Sequence, residues 1–166
     1  THVFPGSAHA AATLAKEVAE LIKAKNKQGK PAVLGLATGS TPVPFYREMI
    51  RLHKEEKLSF KNVITFNLDE YYGLPADHPE SYARFMRDQL FDHIDIPVEN
   101  VNIPSGTVPS DQVFSHCRAY EERIDAVGGI DLQAARGSFT DHFVHAGRTE
   151  VLARIAIRGR ALRHAH

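Results

Sequence analysis

Val33-Leu34-Gly35-Leu36-Ala37-Thr38-Gly39-Ser40-Thr41-Pro42 is the stretch that decides the fold. It opens on a near-continuous apolar run from Ala32 to Ala37, the pattern of a strand covered on both faces. It closes in a Gly-Ser-Thr turn. Pro42 suits the first turn of a following helix, where its missing N–H costs little. Phe45, Tyr46, Met49, Ile50 and Leu52 give that helix an apolar side. A second stretch, Val63-Ile64-Thr65-Phe66-Asn67-Leu68-Asp69-Glu70-Tyr71-Tyr72-Gly73-Leu74, repeats the design. Residues 62–68 read as a second buried strand that runs into adjacent carboxylates. Two such strands joined by one helix form a βαβ unit, hence parallel and right-handed. The expected class is α/β, and in such sheets ligands bind outside the carboxyl ends of the strands.

The rest of the chain extends the pattern. Residues 8–25 carry Leu14, Val18, Leu21 and Ile22 on one helical face, and Gly29-Lys30-Pro31 ends that helix. Gly73 to Pro79 is a loop. Glu80 to His93 reads as a helix with Tyr82, Phe85, Met86 and Leu90 inward, broken by Asp95-Ile96-Pro97. Val101-Asn102-Ile103 is a short strand. Ser110 or Asp111 is expected to cap a further helix whose inward set is Phe114, Cys117, Tyr120, Ile124 and Val127. Gly128-Gly129 ends it, and Ile130-Asp131-Leu132 starts one more strand. From Ala134 to His166 the composition turns to Ala, Arg, Gly and His. Val151 to Ile157 carries apolar residues without a clear cap or strand signal. The expected division is an α/β domain over 2–133 and a tail of unassigned structure over 134–166.

Composition narrows the function. The 166 residues have the length of one domain, and 20 basic residues balance 20 acidic ones. Interspersed charge with zero net gives no basic face for nucleic acid or an anionic membrane. No apolar run approaches the ~20 residues of a membrane span, and no signal peptide is visible. The single cysteine, Cys117, has no internal partner, which suits a reducing, cytoplasmic setting, and reads as a small core residue. The first residue is Thr1, which suggests a trimmed amino terminus.

Two motifs carry chemistry. Thr38-Gly39-Ser40-Thr41 offers backbone N–H groups, hydroxyls and a helix N-terminus, a combination that binds phosphate. It also fits an ordinary strand-to-helix turn with a Ser or Thr cap. It matches neither a Walker A loop nor a dinucleotide fingerprint. Asp69-Glu70 places two carboxylates at an apolar strand end, where burial without purpose is costly. Such a carboxylate suits proton abstraction beside a carbonyl. Neighbouring strand residues point to opposite faces, so one of the two is expected to face a site. A helix cap or a solvated pair is the plainer reading. His78-Pro79-Glu80-Ser81-Tyr82 follows closely enough to close over a ligand. The ten histidines show no metal-ligand spacing except His142-x-x-His145, which lies in the His-rich tail, so no metal is expected.

Taken together the residues are more specific than either motif. The segments Leu34–Pro42, Ser59–Val63, Thr65–Tyr71, Gly73–Pro75, His78–Tyr82 and Phe91–Pro97 closely resemble the glucosamine-6-phosphate deaminase family. Tyr120-Glu121 and Gly129-Ile130-Asp131-Leu132 continue the match through about residue 133. The related 6-phosphogluconolactonases share the Gly-Ser-Thr-Pro turn but usually carry Arg where Tyr71 stands. The resemblance implies a Rossmann-like parallel sheet with helices on both faces. It implies a reaction without metal or other cofactor, in which glucosamine 6-phosphate and water become fructose 6-phosphate and ammonia. It makes Asp69 the base at C2, and Gly39, Ser40 and Thr41 the loop that holds the sugar phosphate. It implies a cytoplasmic enzyme of amino-sugar breakdown, from a family whose members are commonly homo-oligomers.

The match stops after Gln133. The family continues with a segment that supplies the histidine and glutamate of ring opening. Counted without gaps, His142 falls at the histidine, with Gly147 at the glutamate; alternatively His145 and Glu150 keep the His-to-Glu spacing. The expectation is an apparently truncated domain with a tail from a shifted or mis-joined frame, an open sheet edge and uncovered apolar faces. A non-catalytic sugar-phosphate-binding fragment and a 6-phosphogluconolactonase-like hydrolase are the alternative functions.

Overall fold

A computed structural model describes residues 7–133, with side chains from residue 9 onward, and the backbone of residues 154–156. The apolar run from Ala32 forms β1 (Ala32–Leu36), with all five residues buried. The second run forms β2 (Val63–Asn67). They pair in parallel, from Ala32 against Val63 to Leu36 against Asn67. Around them the chain builds α1 (Ser7–Lys27), α2 (Val43–Glu56), β3 (Asp69–Tyr71), α3 (Tyr82–Gln89), β4 (Val101–Asn102), α4 (Val113–Ala126), β5 (Leu132–Gln133) and β6 (Arg154–Ala156).

The main sheet runs β4-β2-β1-β5, all parallel. Side chains alternate across it. Ala32, Leu34 and Leu36 join the cluster formed with Val18, Ile22, Phe45, Met49 and Met86 of the helices on one face. Val33 and Phe66 pack with Tyr120, Ile124 and Ile130 on the other. Each fully buried Leu or Phe contributes about 1.5–3 kcal/mol. β5 approaches Gly35 closely: a Cβ there would stand 3.0 Å from Gln133 Cγ, so any larger residue would push that side chain aside. Asp131 locks the same region. Its Oδ2 accepts from Val33 N at 2.9 Å, and its Oδ1 lies 2.5 Å from Lys25 Nζ at the end of α1.

The α/β class and the doubly covered parallel sheet are as the sequence predicts. Several details differ. The helix expected over Glu80–His93 is shorter. Ser81 caps it, its Oγ accepting from Arg84 N at 3.0 Å, and Leu90 at φ −146° breaks it before a 3-10 turn over Phe91–His93. Neither Ser110 nor Asp111 caps α4: they sit in a 3-10 turn, and α4 begins without a side-chain cap. Of the expected inward set Tyr120 and Ile124 are buried, whereas Phe114 is 90% exposed and Cys117 only half-buried, because the helix meets the core only along its second half. The tail does contain a strand: β6 pairs in parallel with β3, Asp69 opposite Arg154. Among the described residues β4 and β5 are the free edges of the main sheet.

Candidate active site

The chain runs outward from β1 through β2 to β4, then returns to set β5 on the other side of β1. Ligands bind at the carboxyl edge of such a sheet, near this reversal. The register places Leu36 level with Asn67. The Thr38–Thr41 turn and the Asp69-Glu70 pair therefore leave neighbouring strands side by side, and the structure brings the two sequence motifs to one edge.

The turn has left its hydrogen-bonding capacity outward. Thr38 is buried, while Gly39, Ser40 and Thr41 are exposed. Gly39 adopts φ +105°, a conformation that favours glycine. The residue at the cap of α2 is Pro42, with no side-chain hydrogen bond, so neither Ser40 nor Thr41 serves as a helix cap. Tyr46, one turn into α2, braces the turn from below: its hydroxyl donates to the Ala37 carbonyl. Burial pushes the Tyr46 phenol far above its ordinary pKa, so it remains a donor at every working pH.

The two carboxylates have separate fates. Both are buried, Glu70 almost completely. Glu70 Oε1 accepts from Tyr71 N and Tyr82 N, each at 2.8 Å, and Oε2 accepts from Ala83 N at 2.9 Å. Tyr82 and Ala83 are the first residues of α3. Glu70 thus caps that helix through space, where a negative charge meets the positive end of the helix dipole. The helix-cap alternative therefore holds for Glu70. Asp69, one residue earlier, opens β3, in register with Arg154 of β6.

The loop between them is tied at several points. Ser81 Oγ donates to the Ala76 carbonyl at 3.0 Å, and Arg87 Nη2 reaches the same carbonyl at 2.8 Å. The Tyr71 and Tyr82 rings lie 4.6 Å apart. Across the edge, Tyr120 Oη lies 2.8 Å from the Asn67 carbonyl and 2.9 Å from that of Asn102, joining β2 to β4.

Asn67 is a residue whose importance the sequence reading missed. Its Nδ2 donates to the Leu36 carbonyl at 3.4 Å, while its buried Oδ1 has no hydrogen-bond partner among the described residues. The available signal was an amide at the end of a mainly apolar strand, two residues before Asp69. His142, His145 and Glu150 lie outside the described residues. No group of three or more metal-ligating side chains occurs among the described residues.

These features define a doubly wound α/β protein with an open donor turn beside a buried carboxylate. The chain belongs to the family of glucosamine-6-phosphate isomerases and 6-phosphogluconolactonases, whose model matches residues 5–141. A glucosamine-6-phosphate deaminase of Thermoanaerobacter sp. (strain X514) is 50% identical over 120 residues, 72% of this chain and 47% of its own. One from Parabacteroides distasonis is 54% identical over 119 residues, 71% of this chain and 43% of its own. Among solved structures, a monomeric glucosamine-6-phosphate deaminase superposes with a TM-score of 0.71 at 44% identity, over 77% of this chain and 51% of that one. A 6-phosphogluconolactonase of Thermotoga maritima gives 0.53 at 25% identity, over 72% and 53%. The chain spans about half the length of the curated relatives it matches.

Proposed function

We propose that this chain carries the base and the substrate-holding turn of a glucosamine-6-phosphate deaminase. The observation that carries the reading is the split between the carboxylates. Glu70 is committed to three backbone amides, and Asp69 stands at the position that the resemblance to the deaminase family makes the base. Asp69 takes the proton from C2 of the ring-opened amino sugar, and the proton is delivered toward C1. The resulting C2 iminium adds water and releases ammonia. The outward amides and hydroxyls of Gly39, Ser40 and Thr41 hold the sugar phosphate. Ring opening is assigned to His142 on spacing alone. The absence of a long apolar helix among the described residues is compatible with a cytoplasmic setting.

A second reading, a sugar-phosphate-binding chain without turnover, is favoured by the sequence after Gln133, where neither His142 nor His145 stands in the family's histidine–glutamate segment. One experiment separates the two. Ammonia release from glucosamine 6-phosphate is measured for the protein and for Asp69→Asn, with 6-phosphogluconolactone hydrolysis assayed in parallel. Loss of about 10²-fold or more in the variant supports the deaminase, the range expected for a general base. Release unchanged by Asp69→Asn overturns the assignment. Thermal stabilisation by the sugar phosphate without release supports the second reading.

A further inference from the structure

α4 presents a polar stripe to the edge that holds the site. His116, Tyr120 and Ile124 follow at helical spacing on one face. Ile124 enters the core, and Tyr120 joins the ends of β2 and β4. His116 reaches further out. Its Nε2 accepts the Ser105 amide proton at 3.2 Å. That bond requires an unprotonated Nε2, hence the neutral ring with its proton on Nδ1.

The loop held by this bond is itself wedged against the site. Gly73 N donates to the Gly106 carbonyl at 2.7 Å. A Cβ on Gly106 would collide with the Tyr71 carbonyl oxygen and stand 2.5 Å from that of Leu74, with Glu70 Cγ at 3.4 Å. The backbone of residues 105–107 therefore packs directly on the turn that continues β3, the strand of Asp69. Ser105 Oγ and Thr107 Oγ1 lie 3.2 Å apart and close the loop on itself.

We propose that His116 is a positioning residue: through the Ser105 amide it holds the 105–107 loop against the Tyr71–Leu74 turn and so fixes the strand end that carries Asp69. The consequence for a sugar phosphate rests on the deaminase reading, whereas the positioning itself does not. Burial first, then the charge of Arg123 on the same helix, keep the imidazole below its usual pKa, which preserves the acceptor near neutral pH. The facing loop contributes Ser105, Gly106 and Thr107, none of which titrates. The turn ahead of α4 carries Asp111, which is exposed. Acid protonates Nε2, removes the acceptor and releases the loop.

The test is amide hydrogen exchange at Gly73 and Ser105 in the whole chain, compared with amides of β1, for the natural protein, His116→Leu and His116→Gln. Leu removes the acceptor; Gln keeps an acceptor oxygen and does not titrate. The expected result is exchange at both loop amides about tenfold faster in His116→Leu, restored toward the natural rate in His116→Gln. Lowering the pH from about 7.5 to about 5.5, after correction for intrinsic exchange, should loosen the natural loop and not that of His116→Gln. Unchanged loop exchange in His116→Leu, equal behaviour of Leu and Gln, or a parallel rise throughout β1 would overturn the proposal. Glucosamine 6-phosphate is then added to the natural protein. Failure of the sugar to stabilise it counts against the deaminase reading and leaves the exchange result standing.

Discussion

The β1–α2 turn and the β3–α3 junction stand on the same sheet edge and treat polar groups in opposite ways. At the junction a buried carboxylate meets three backbone donors, and two of them open α3. At the turn, Ser40 and Thr41 are exposed and the helix behind them has no side-chain cap. Polar groups consumed internally build the scaffold; those left outward are available to a ligand. The difference separates Glu70, bound to three backbone amides, from Ser40 and Thr41.

Replacing Glu70 should break that comparison hardest. Glu70→Ala leaves three half-buried amides without their acceptor and removes a charge from the start of α3, so destabilisation of about 3 kcal/mol is expected. Glu70→Gln keeps one acceptor oxygen and should cost about half as much. Urea midpoints, with the slope checked for two-state behaviour, measure both. A Glu70→Ala midpoint within error of the natural protein would return Glu70 to the list of candidate bases.

The sequence carried the sheet because its signals there are strong. Ala32–Ala37 is apolar on both faces, Val63–Phe66 is apolar but for Thr65, and a glycine turn follows the first. It also marked Asp69, Gly39, Ser40 and Thr41 as neighbours in function, and parallel register brings their strand ends together. Only the family resemblance separated Asp69 from Glu70; spacing and residue chemistry could not, since two of the amides that bind Glu70 come from residues 82 and 83, across a loop. Nor did the sequence place α4 correctly at its start. Phe114 fits the helical period of the inward set, yet the helix meets the sheet only from Tyr120 onward, so Phe114 stays in solvent. Periodicity reports a face; where that face touches its neighbour is decided by tertiary packing.

A third carboxylate sharpens the contrast from the far end of β2. Asp95 accepts from Ser59 Oγ at 2.8 Å and from Phe60 N at 2.6 Å, with His53 Nδ1 3.6 Å away. Burial alone would raise its pKa, but these hydrogen bonds and the His53 charge outweigh it, and the carboxyl titrates below its ordinary 3.8. A carboxyl lowered on folding stabilises the protein above its unfolded pKa. That contribution is lost as pH falls from about 4 through the folded value. Asp95→Asn should therefore cost about 1 kcal/mol near pH 7 and less below about pH 4. Because Asp95 holds the amino end of β2, ligand affinity at neutral pH should stay unchanged. A pH-independent loss, or a change in affinity, would show that the two ends of the strand are not energetically separate.

The smallest effect on stability is expected at the turn. Ser40→Ala removes an exposed hydroxyl that caps nothing, so the unfolding midpoint should move by no more than about 0.5 kcal/mol equivalent. Its effect should appear only with ligand. If the turn holds a sugar phosphate, losing one hydrogen bond to a charged group costs about 1.5–3 kcal/mol, a weakening of about ten- to a hundredfold. Titration calorimetry with glucosamine 6-phosphate on the natural protein and on Ser40→Ala measures it directly. A stability loss of a full kcal/mol without ligand would mean that the hydroxyl serves the scaffold. The turn would then belong with Glu70 on the structural side of the edge, and the division between consumed and available groups would fall.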